Sequence, residues 1–360
     1  MTDTSTEFSD AAERHSKLLG IKLRALVADH LGNEVDAEVQ KFPNGAAMVL
    51  DGVAWVLAET SLLGAPLSWA IRHDANSLEL VVDTDPGPLV RRAERFSYPI
   101  SLWKADGRSL LRASAEQLPE VPVAAAAHLD LCDVIESAGA TVNVEHGVVF
   151  GEVRGLEVCR VVDQPTVGLF AELGDVPQAP SDSPEDLEQA IRDRSDRESA
   201  GVQLEVGVGA NDREAFQMLH GDLPTVEALR GVVEAVERHR SPDAQQHPLN
   251  RLAQERYLRW RLEQDPELVG AASVLPAEPP VPRPNLKDAM PCVALADGDG
   301  ASRIVVCTVG VDLELMPFVA DVQATFDEPV LIVAPPRDLL PITRDLAAIL
   351  ETPVEFQAVG

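Results

Sequence analysis

The sequence predicts an α/β protein of two or three modules, in which the terminal modules share the order hairpin, helix, strand, helix, strand. Near each end of the chain, two strand-like runs flank an Asp-Gly turn, Asp51-Gly52 and Asp297-Gly298, which is a strong hairpin signal. After each hairpin come two segments in which a proline introduces a helical pattern and a strand-like run follows. A chain of 360 residues also exceeds the usual size of a single core.

The first module, an α/β module at residues 1–118, opens with a helix predicted at 11–31 after a disordered start. One side of this helix carries Leu19, Leu23, Leu26, Val27 and His30. Gly32-Asn33 ends it. The remaining segments of the module are strands at 34–42, 46–50, 53–58, 78–82 and 100–103, with helices at 66–74 and 88–96. Pro119 and Pro122 mark its boundary.

The middle module, residues 123–270, has a mixed α+β pattern. It is predicted to contain a helix at 128–138, strands at 141–145, 148–154, 156–162 and 202–208, and helices at 225–239 and 248–264. Residues 172–201 carry nine acidic residues and three prolines, which predicts a mobile insertion. In the last helix, Arg251, Glu255, Arg259 and Glu263 alternate in sign four residues apart, which is typical of a solvated ion-pair face. The insertion and this helix are the expected partner surfaces.

The C-terminal α/β module, residues 285–360, contains a short internal repeat. Residues 315–334 align without gaps onto 339–358, and Pro317 matches Pro341 while Asp321 matches Asp345. Each copy predicts a proline-introduced helix followed by a strand, and two such units wind onto one sheet. The N-terminal module has the same order, so we expect the two ends to be related by duplication or by similar architecture.

The net charge and the positions of the cysteines bear on the cellular compartment of the protein and on the class of partner that it can bind. The chain has 59 acidic and 30 basic residues, which gives a formal charge of −29. Because this charge repels phosphate backbones, it argues against nucleic-acid binding. No apolar run approaches the roughly 20 residues that span a membrane, and the polar, acidic start does not resemble a secretory signal. Cys132, Cys159, Cys292 and Cys307 form no CxxC pair, which favours buried thiols in a reducing cytoplasm.

Asp51 and Glu59 flank an apolar strand that follows a long helix and two strands. This arrangement resembles the PD-(D/E)XK, or restriction-endonuclease-like, superfamily, whose order is α-β-β-β-α-β and whose two acids hold a divalent metal. The resemblance implies Mg²⁺ or Mn²⁺ at Asp51 and Glu59 and a nuclease or phosphoesterase activity. Ser61 stands where the family has a lysine, so the motif is degenerate. The alternative is structural: Asp51 makes the turn, and Glu59 ends the strand at the surface.

Two weaker candidates lie elsewhere. In the middle module, Glu157 and Glu205 on successive strands could approach each other and form a second acidic pair. In the C-terminal module, residues 335–338 (Pro-Pro-Arg-Asp) follow a strand at the edge where open α/β sheets bind small ligands.

Residue usage adds a further resemblance. Arginine outnumbers lysine 25 to 5, and residues 152–162 and 247–252 resemble an actinobacterial family of acidic proteins, which implies no particular activity. No candidate site has a full set of catalytic groups. The sequence therefore favours a non-catalytic cytoplasmic protein that binds a protein partner, with the metal-dependent nuclease and the small-ligand site as alternatives.

Overall fold

The computed structural model describes residues 4–84, 86–163, 201–209, 212–215, 225–241, 244, 247–283, 290–298 and 300–360, with side chains from residue 13 onward. These residues form two compact units. Unit 1 contains Met1–Glu120, Gln254–Arg283 and Ala289–Gly360, and unit 2 contains Val121–Ala253 and Pro284–Asp288. Both terminal modules therefore belong to unit 1. The insertion expected at 172–201 lies outside the described residues, apart from Gly201.

The N-terminal half of unit 1 consists of three helices and six strands among the described residues. The helices are α1 (Thr4–Leu31), α2 (Gly64–Arg72) and α3 (Gly87–Ala93). The strands are β1 (Gln40–Phe42), β2 (Gly45–Leu50), β3 (Val53–Ala58), β4 (Ser77–Val82), β5 (Ile100–Asp106) and β6 (Ser109–Arg112). Helix α1 begins at Thr4, so the expectation of a disordered start is wrong from that residue onward.

Unit 2 is built on one antiparallel sheet. Its described helices are α4 (Ala126–Leu129), α5 (Cys132–Ser137) and α6 (Thr225–His239). Its strands are β7 (Thr141–Glu145), β8 (Val148–Val153), β9 (Leu156–Asp163) and β10 (Val202–Val206), in the spatial order β10-β9-β8-β7. Ile135, Leu229 and Val233 from the helices pack with Val149 and Val158 from the sheet. The helix predicted at 128–138 is divided between α4 and α5.

The C-terminal half of unit 1 repeats the pattern of the N-terminal half. Its helices are α7 (Gln254–Gln264), α8 (Leu315–Thr325) and α9 (Pro341–Ala348). Its strands are β11 (Ser273–Pro276), β12 (Cys292–Asp297), β13 (Ser302–Cys307), β14 (Val330–Ala334) and β15 (Glu355–Ala358). The predicted helix at 248–264 is in fact a 3₁₀ turn, Pro248–Arg251, followed by α7, because Ala253 takes a left-handed backbone conformation with φ of 44° between them.

The two halves of unit 1 share one topology. Sheet 1 runs β1-β2-β3-β4-β5-β6 and sheet 3 runs β11-β12-β13-β14-β15. In both sheets the first three strands pair antiparallel, and the next two add parallel through α-helical connections. Including the leading helix, each half has the order α-β-β-β-α-β-α-β, and the N-terminal half adds β6, which pairs antiparallel with β5. The α/β fold class and the hairpin-α-β-α-β order of both ends are confirmed.

Unit 1 is layered, with helices between and outside its two sheets. Helix α1 covers the outer face of sheet 1, where Leu23 and Val27 pack with Met48 and Leu57. Helix α7 covers the outer face of sheet 3 in the same way. Between the sheets, α2, α3, α8 and α9 fill a common core that draws on both halves. The burial of Leu23 and Val27 at 0% exposure matches the apolar stripe predicted for the first helix.

Charged contacts also join the two halves of unit 1. Asp321 on α8 is fully buried and accepts hydrogen bonds from Arg91 Nε at 3.0 Å and from Arg92 Nε at 2.7 Å, both on α3. Glu314, just before α8, accepts the backbone N–H groups of Leu63 and Gly64 at the start of α2. Burial raises the pKa of Glu314, although these two N–H groups oppose the rise. Among the described helices, none is long and apolar enough to cross a bilayer.

Candidate protein-interaction groove

Asp51 and Glu59 lie at opposite ends of β3. Asp51 and Gly52 have φ angles of 51° and 77°, the left-handed pair that a two-residue hairpin turn requires. Glu59 ends the strand at the surface, where its carboxylate is 2.9 Å from His15 Nε2 on α1. The two acids are eight positions apart along the strand, a distance of roughly 26 Å at the rise of an extended chain. They cannot hold one metal ion together, and the structural alternative accounts for both residues.

Metal-ligating side chains do not cluster elsewhere in the part of the chain that the structure describes. Within those ranges, no group of three or more His, Cys, Asp or Glu side chains is placed to hold an ion. The cysteines are free thiols, and burial raises the pKa of Cys159 to about 12. Burial also raises the pKa of Cys307, whose thiol lies beside that of Cys292 on the neighbouring strand. These thiols are packing groups rather than activated nucleophiles.

Glu157 and Glu205 do approach each other, as predicted, but around a cation. Arg213 Nη1 lies 2.9 Å from Glu157 Oε1, and its Nε lies 3.2 Å from Glu205 Oε2. Arg160 also pairs with Glu157 at 2.9 Å. Glu157 is 1% exposed, so its charge is compensated inside the protein by two guanidinium groups. The arrangement is a buried ion-pair network in which arginine takes the place a metal would need.

The Pro-Pro-Arg-Asp segment follows β14 at the carboxyl edge of sheet 3, as the sequence predicts. Its acid is already engaged: Asp338 Oδ2 accepts the backbone N–H of Gly310 at 2.9 Å. That bond ties the loop after β14 to the loop after β13. Arg337 remains 78% exposed and makes only a long contact of 3.7 Å with Asp338. The segment therefore has a structural role, in which Asp338 connects the two loops.

The expectation of a solvated ion-pair face is wrong for Glu255 and Arg259, which are buried on α7, whereas Arg251 lies exposed in the 3₁₀ turn before it. Glu255, Arg256 and Arg259 are all buried, and Arg259 is only 1% exposed. Arg259 pairs with Glu263 four residues on at 2.9 Å, so the predicted spacing is right although the predicted environment is wrong. Glu255 pairs instead with Arg283 at 3.0 Å. The periodicity of the charges predicts a helix but does not predict whether the helix is buried, because ion pairs form on both exposed and buried helices.

A groove of about 390 Å³ lies between α1 and β1 in unit 1; we call it the α1–β1 groove. It is lined by Ser16, Lys17, Gly20, Ile21, Arg24, Val39, Gln40 and Lys41. The helical residues form two rows with a spacing of four, Ser16, Gly20 and Arg24 beside Lys17 and Ile21, and share one face next to the face that packs on sheet 1. Gly20 forms its floor, since a Cβ there would lie 3.1 Å from Val39 Cγ1. The side chain of Ile21 is 67% exposed at its wall.

The rim of the α1–β1 groove is basic. Its lining residues include Lys17, Arg24 and Lys41 and no acid, in a chain that has a formal charge of −29 and only five lysines. Arg24 Nη2 donates to the carbonyl of Ala37 at 3.0 Å, which holds the guanidinium beside the groove. The pKa of nearby Glu13 is lowered, first by a hydrogen bond from Lys17 and then by the charges of Lys17 and Lys41. Lys17 and Lys41 therefore both stabilise the charged form of a carboxylate at this rim, and Glu13 pairs with Lys17 at 3.0 Å.

A larger groove of about 570 Å³ lies in unit 2, along α6. Its lining is mainly apolar, with Asp212 and Glu227 as its acids and His247 as its one titratable nitrogen group. Asp212 Oδ2 accepts the backbone N–H of Val208 at 2.7 Å, so this acid fixes the local turn. The charge of this groove follows that of the whole chain. The α1–β1 groove differs because its charge opposes that of the whole chain.

The sequence offers only a faint signal for the α1–β1 groove. Residues 14–24 contain five basic or histidine side chains and no acid, which is unusual in so acidic a chain. Lys41 and Val39 are distant in sequence from α1, and only the packing of α1 beside β1 brings them to it. Comparisons with family descriptions, with curated proteins and with solved structures find no match to this chain. The chemistry of the groove is therefore the basis for a functional assignment.

Proposed function

We propose that this chain is a non-catalytic protein-binding protein that receives a segment of its partner in the α1–β1 groove. The observation that carries the proposal is a groove with an apolar floor and a basic rim on a strongly acidic chain. Apolar area in the groove supplies affinity, and rim charges select and orient the partner. Exposed Ile21 is the kind of apolar side chain that a bound segment would cover.

The engagement of the candidate chemical groups supports a binding role over catalysis. Glu157 is neutralised by Arg160 and Arg213, and Asp338 is held by a backbone N–H. A general acid or base must keep its proton-transferring atom available to a substrate, and these carboxylates are committed to structural contacts. A cytoplasmic location is part of the proposal, because four free thiols suit a reducing compartment.

The test is site-specific photo-crosslinking in cells that express the chain natively. A benzoylphenylalanine is placed at Ile21 in the groove and, as a matched control, at Leu111, which is 50% exposed on β6 at the other edge of sheet 1. We expect a discrete protein adduct from the Ile21 probe alone, and its loss when Lys17→Glu and Lys41→Glu are added. An adduct of equal yield from Leu111, or none from Ile21, would overturn the proposed function.

A further inference from the structure

Strand β1 forms one edge of sheet 1 in the part of the chain that the structure describes. Sheet 1 ends with β1, whose three residues pair with β2 as Gln40 with Ala47, Lys41 with Ala46 and Phe42 with Gly45. No second strand among the described residues pairs with β1, and Gln40 and Lys41 are exposed. An edge strand of this kind presents backbone N–H and C=O groups that an extended peptide can extend by strand addition.

The side chains of β1 and its lead-in segment fix which face an added strand would present to the groove. Phe42 packs into the core between the sheets. Because alternate side chains on a strand point to opposite faces, Lys41 and Val39 point to the other face, where α1 lies. A strand added beside β1 would place every second side chain over the α1–β1 groove.

The basic side chains at the rim of the groove determine which side chains the added strand should carry. Lys17, Arg24 and Lys41 stand around an apolar floor made by Gly20 and Val39. The complementary sequence carries an apolar residue to enter the groove and acids two positions away on either side, since residues at i−2, i and i+2 share a face. Glu13, drawn to Lys17 at 3.0 Å, is an example within this chain of a carboxylate attracted to this rim.

We infer that the partner segment is an extended acidic peptide of the pattern acid-x-apolar-x-acid, which adds as a strand to β1 and inserts its apolar side chain between Lys17, Arg24 and Lys41. This inference rests on the proposed function and names the chemistry of the bound segment. The exposed rim charges make binding salt-dependent, because ions screen such charges at high ionic strength.

The experiment uses the purified full-length chain and fluorescein-labelled peptides followed by fluorescence anisotropy. The probe contains Glu-Thr-Leu-Thr-Glu, and its control contains Thr-Glu-Leu-Glu-Thr, which has the same composition but turns its acids to the face opposite leucine. We expect the probe to bind about tenfold more tightly than the control and to weaken as NaCl rises from about 0.05 to about 0.5 M. Equal affinity for the two peptides would overturn the inference.

Charge variants test the site itself. Lys41→Glu should weaken the probe about tenfold, whereas Lys104→Glu, the same charge change at an exposed residue of β5 in the same sheet, should leave its affinity unchanged. The urea unfolding midpoints of both variants are compared with that of the native sequence to verify that the variants are folded. Equal effects of the two variants would show a response to net charge and overturn the site.

Two further arms test strand addition and selectivity. Two versions of the probe are N-methylated at alternate backbone positions, so that one version blocks the N–H groups that would face β1 and the other blocks those that would face away. Only the first version should lose binding. Equal affinities of the two versions would overturn strand addition. A thymidine oligonucleotide of equal charge should compete poorly, and displacement at matched concentration would overturn the acidic-peptide assignment. If Ile21 crosslinks a partner but the probe does not bind, only this inference fails; without an adduct, the proposed function itself fails.

Discussion

Replacing Asp321 by asparagine should destabilise unit 1 by about 3 kcal/mol. The aspartate side chain is 0% exposed and faces two arginines, Arg91 and Arg92, whose side chains are 12% and 18% exposed. Removing one partner of a buried pair costs roughly 3–5 kcal/mol, since the charge left behind is uncompensated. The two arginines keep some contact with water, so the lower end of that range applies.

Urea unfolding followed by tryptophan fluorescence measures this loss in the right unit. Trp55, Trp69, Trp103 and Trp260 are the four tryptophans of the chain, and all belong to unit 1. With an m-value of about 3 kcal/mol per molar urea, the midpoint should fall by about 1 M and the slope should stay unchanged.

The internal repeat supplies the control for this substitution. Asp345 occupies the position that aligns with Asp321, but it is exposed on α9, so Asp345→Asn should change stability by less than about 0.5 kcal/mol. A loss below about 1 kcal/mol for Asp321→Asn, or equal losses for both variants, would refute the assignment of Asp321 as a buried tie between the halves. Asp321→Leu combined with Arg91→Met and Arg92→Met should recover much of the loss, because it removes all three charges together.

Three further predictions concern the junction of the halves and the thiols. Because burial raises the pKa of Glu314 above its ordinary value of 4.5, the folded chain binds this proton more tightly than the unfolded chain, and the stabilising contribution is lost as pH rises through the raised pKa. Urea midpoints between about pH 5.5 and about pH 8 should therefore fall more for the native sequence than for Glu314→Gln, and parallel pH profiles would contradict the prediction. Gly64→Ala should cost at least about 2 kcal/mol in the same assay, since the new methyl group would collide with the carbonyl oxygen of Leu313; an unchanged midpoint would show that the loop yields freely. An aromatic disulfide reagent that labels accessible thiols should react with the folded chain at Cys132 alone, because the other three cysteines are buried. The Cys132→Ser variant should have no reactive thiol until urea is added. Rapid labelling of that variant would contradict the burial of the other cysteines.

Local sequence signals predict the elements of the fold where one pattern dominates a segment. The Asp51-Gly52 turn predicts the hairpin of β2 and β3, and the structure gives those residues the left-handed φ angles such a turn needs. Periodicity places β7 at Thr141–Glu145 and α6 at Thr225–His239 with the bounds the structure has. These segments carry their signal in residues that are adjacent along the chain.

Edge strands are harder to predict for a physical reason. The sequence does not predict strand β6, Ser109–Arg112, because three of its four residues are exposed and burial imposes no alternation on its sequence. Strand β11 ends at Pro276, within a proline-rich stretch that predicts an extended connector. Proline is tolerated there because β11 lies at the edge of sheet 3, where its missing N–H removes no ladder bond on the outer side.

Burial of charge depends on tertiary packing and escapes prediction from local pattern. Asp321 and Asp345 occupy matching positions in two copies of one repeat, yet one is fully buried between the halves and the other is exposed. The difference arises because α8 packs against α3, whose arginines lie more than 200 residues away in sequence. The same reasoning explains why Glu255 and Arg259 on α7 are buried although their spacing is typical of a surface helix.

The α1–β1 groove follows the same rule and explains why function is harder to predict here than fold. Its cations come from two segments that are distant in sequence, Lys17 and Arg24 on the helix and Lys41 on the strand, so neither segment alone predicts the groove. Gly20 helps to bring the segments together, because a Cβ at this position would lie only 3.1 Å from Val39 Cγ1 and the neighbouring side chain would have to shift. A glycine in the middle of a helix costs about 1 kcal/mol relative to alanine. Among the described residues, this close approach brings an apolar floor and a basic rim together in the α1–β1 groove, which is the combination that an acidic partner segment requires.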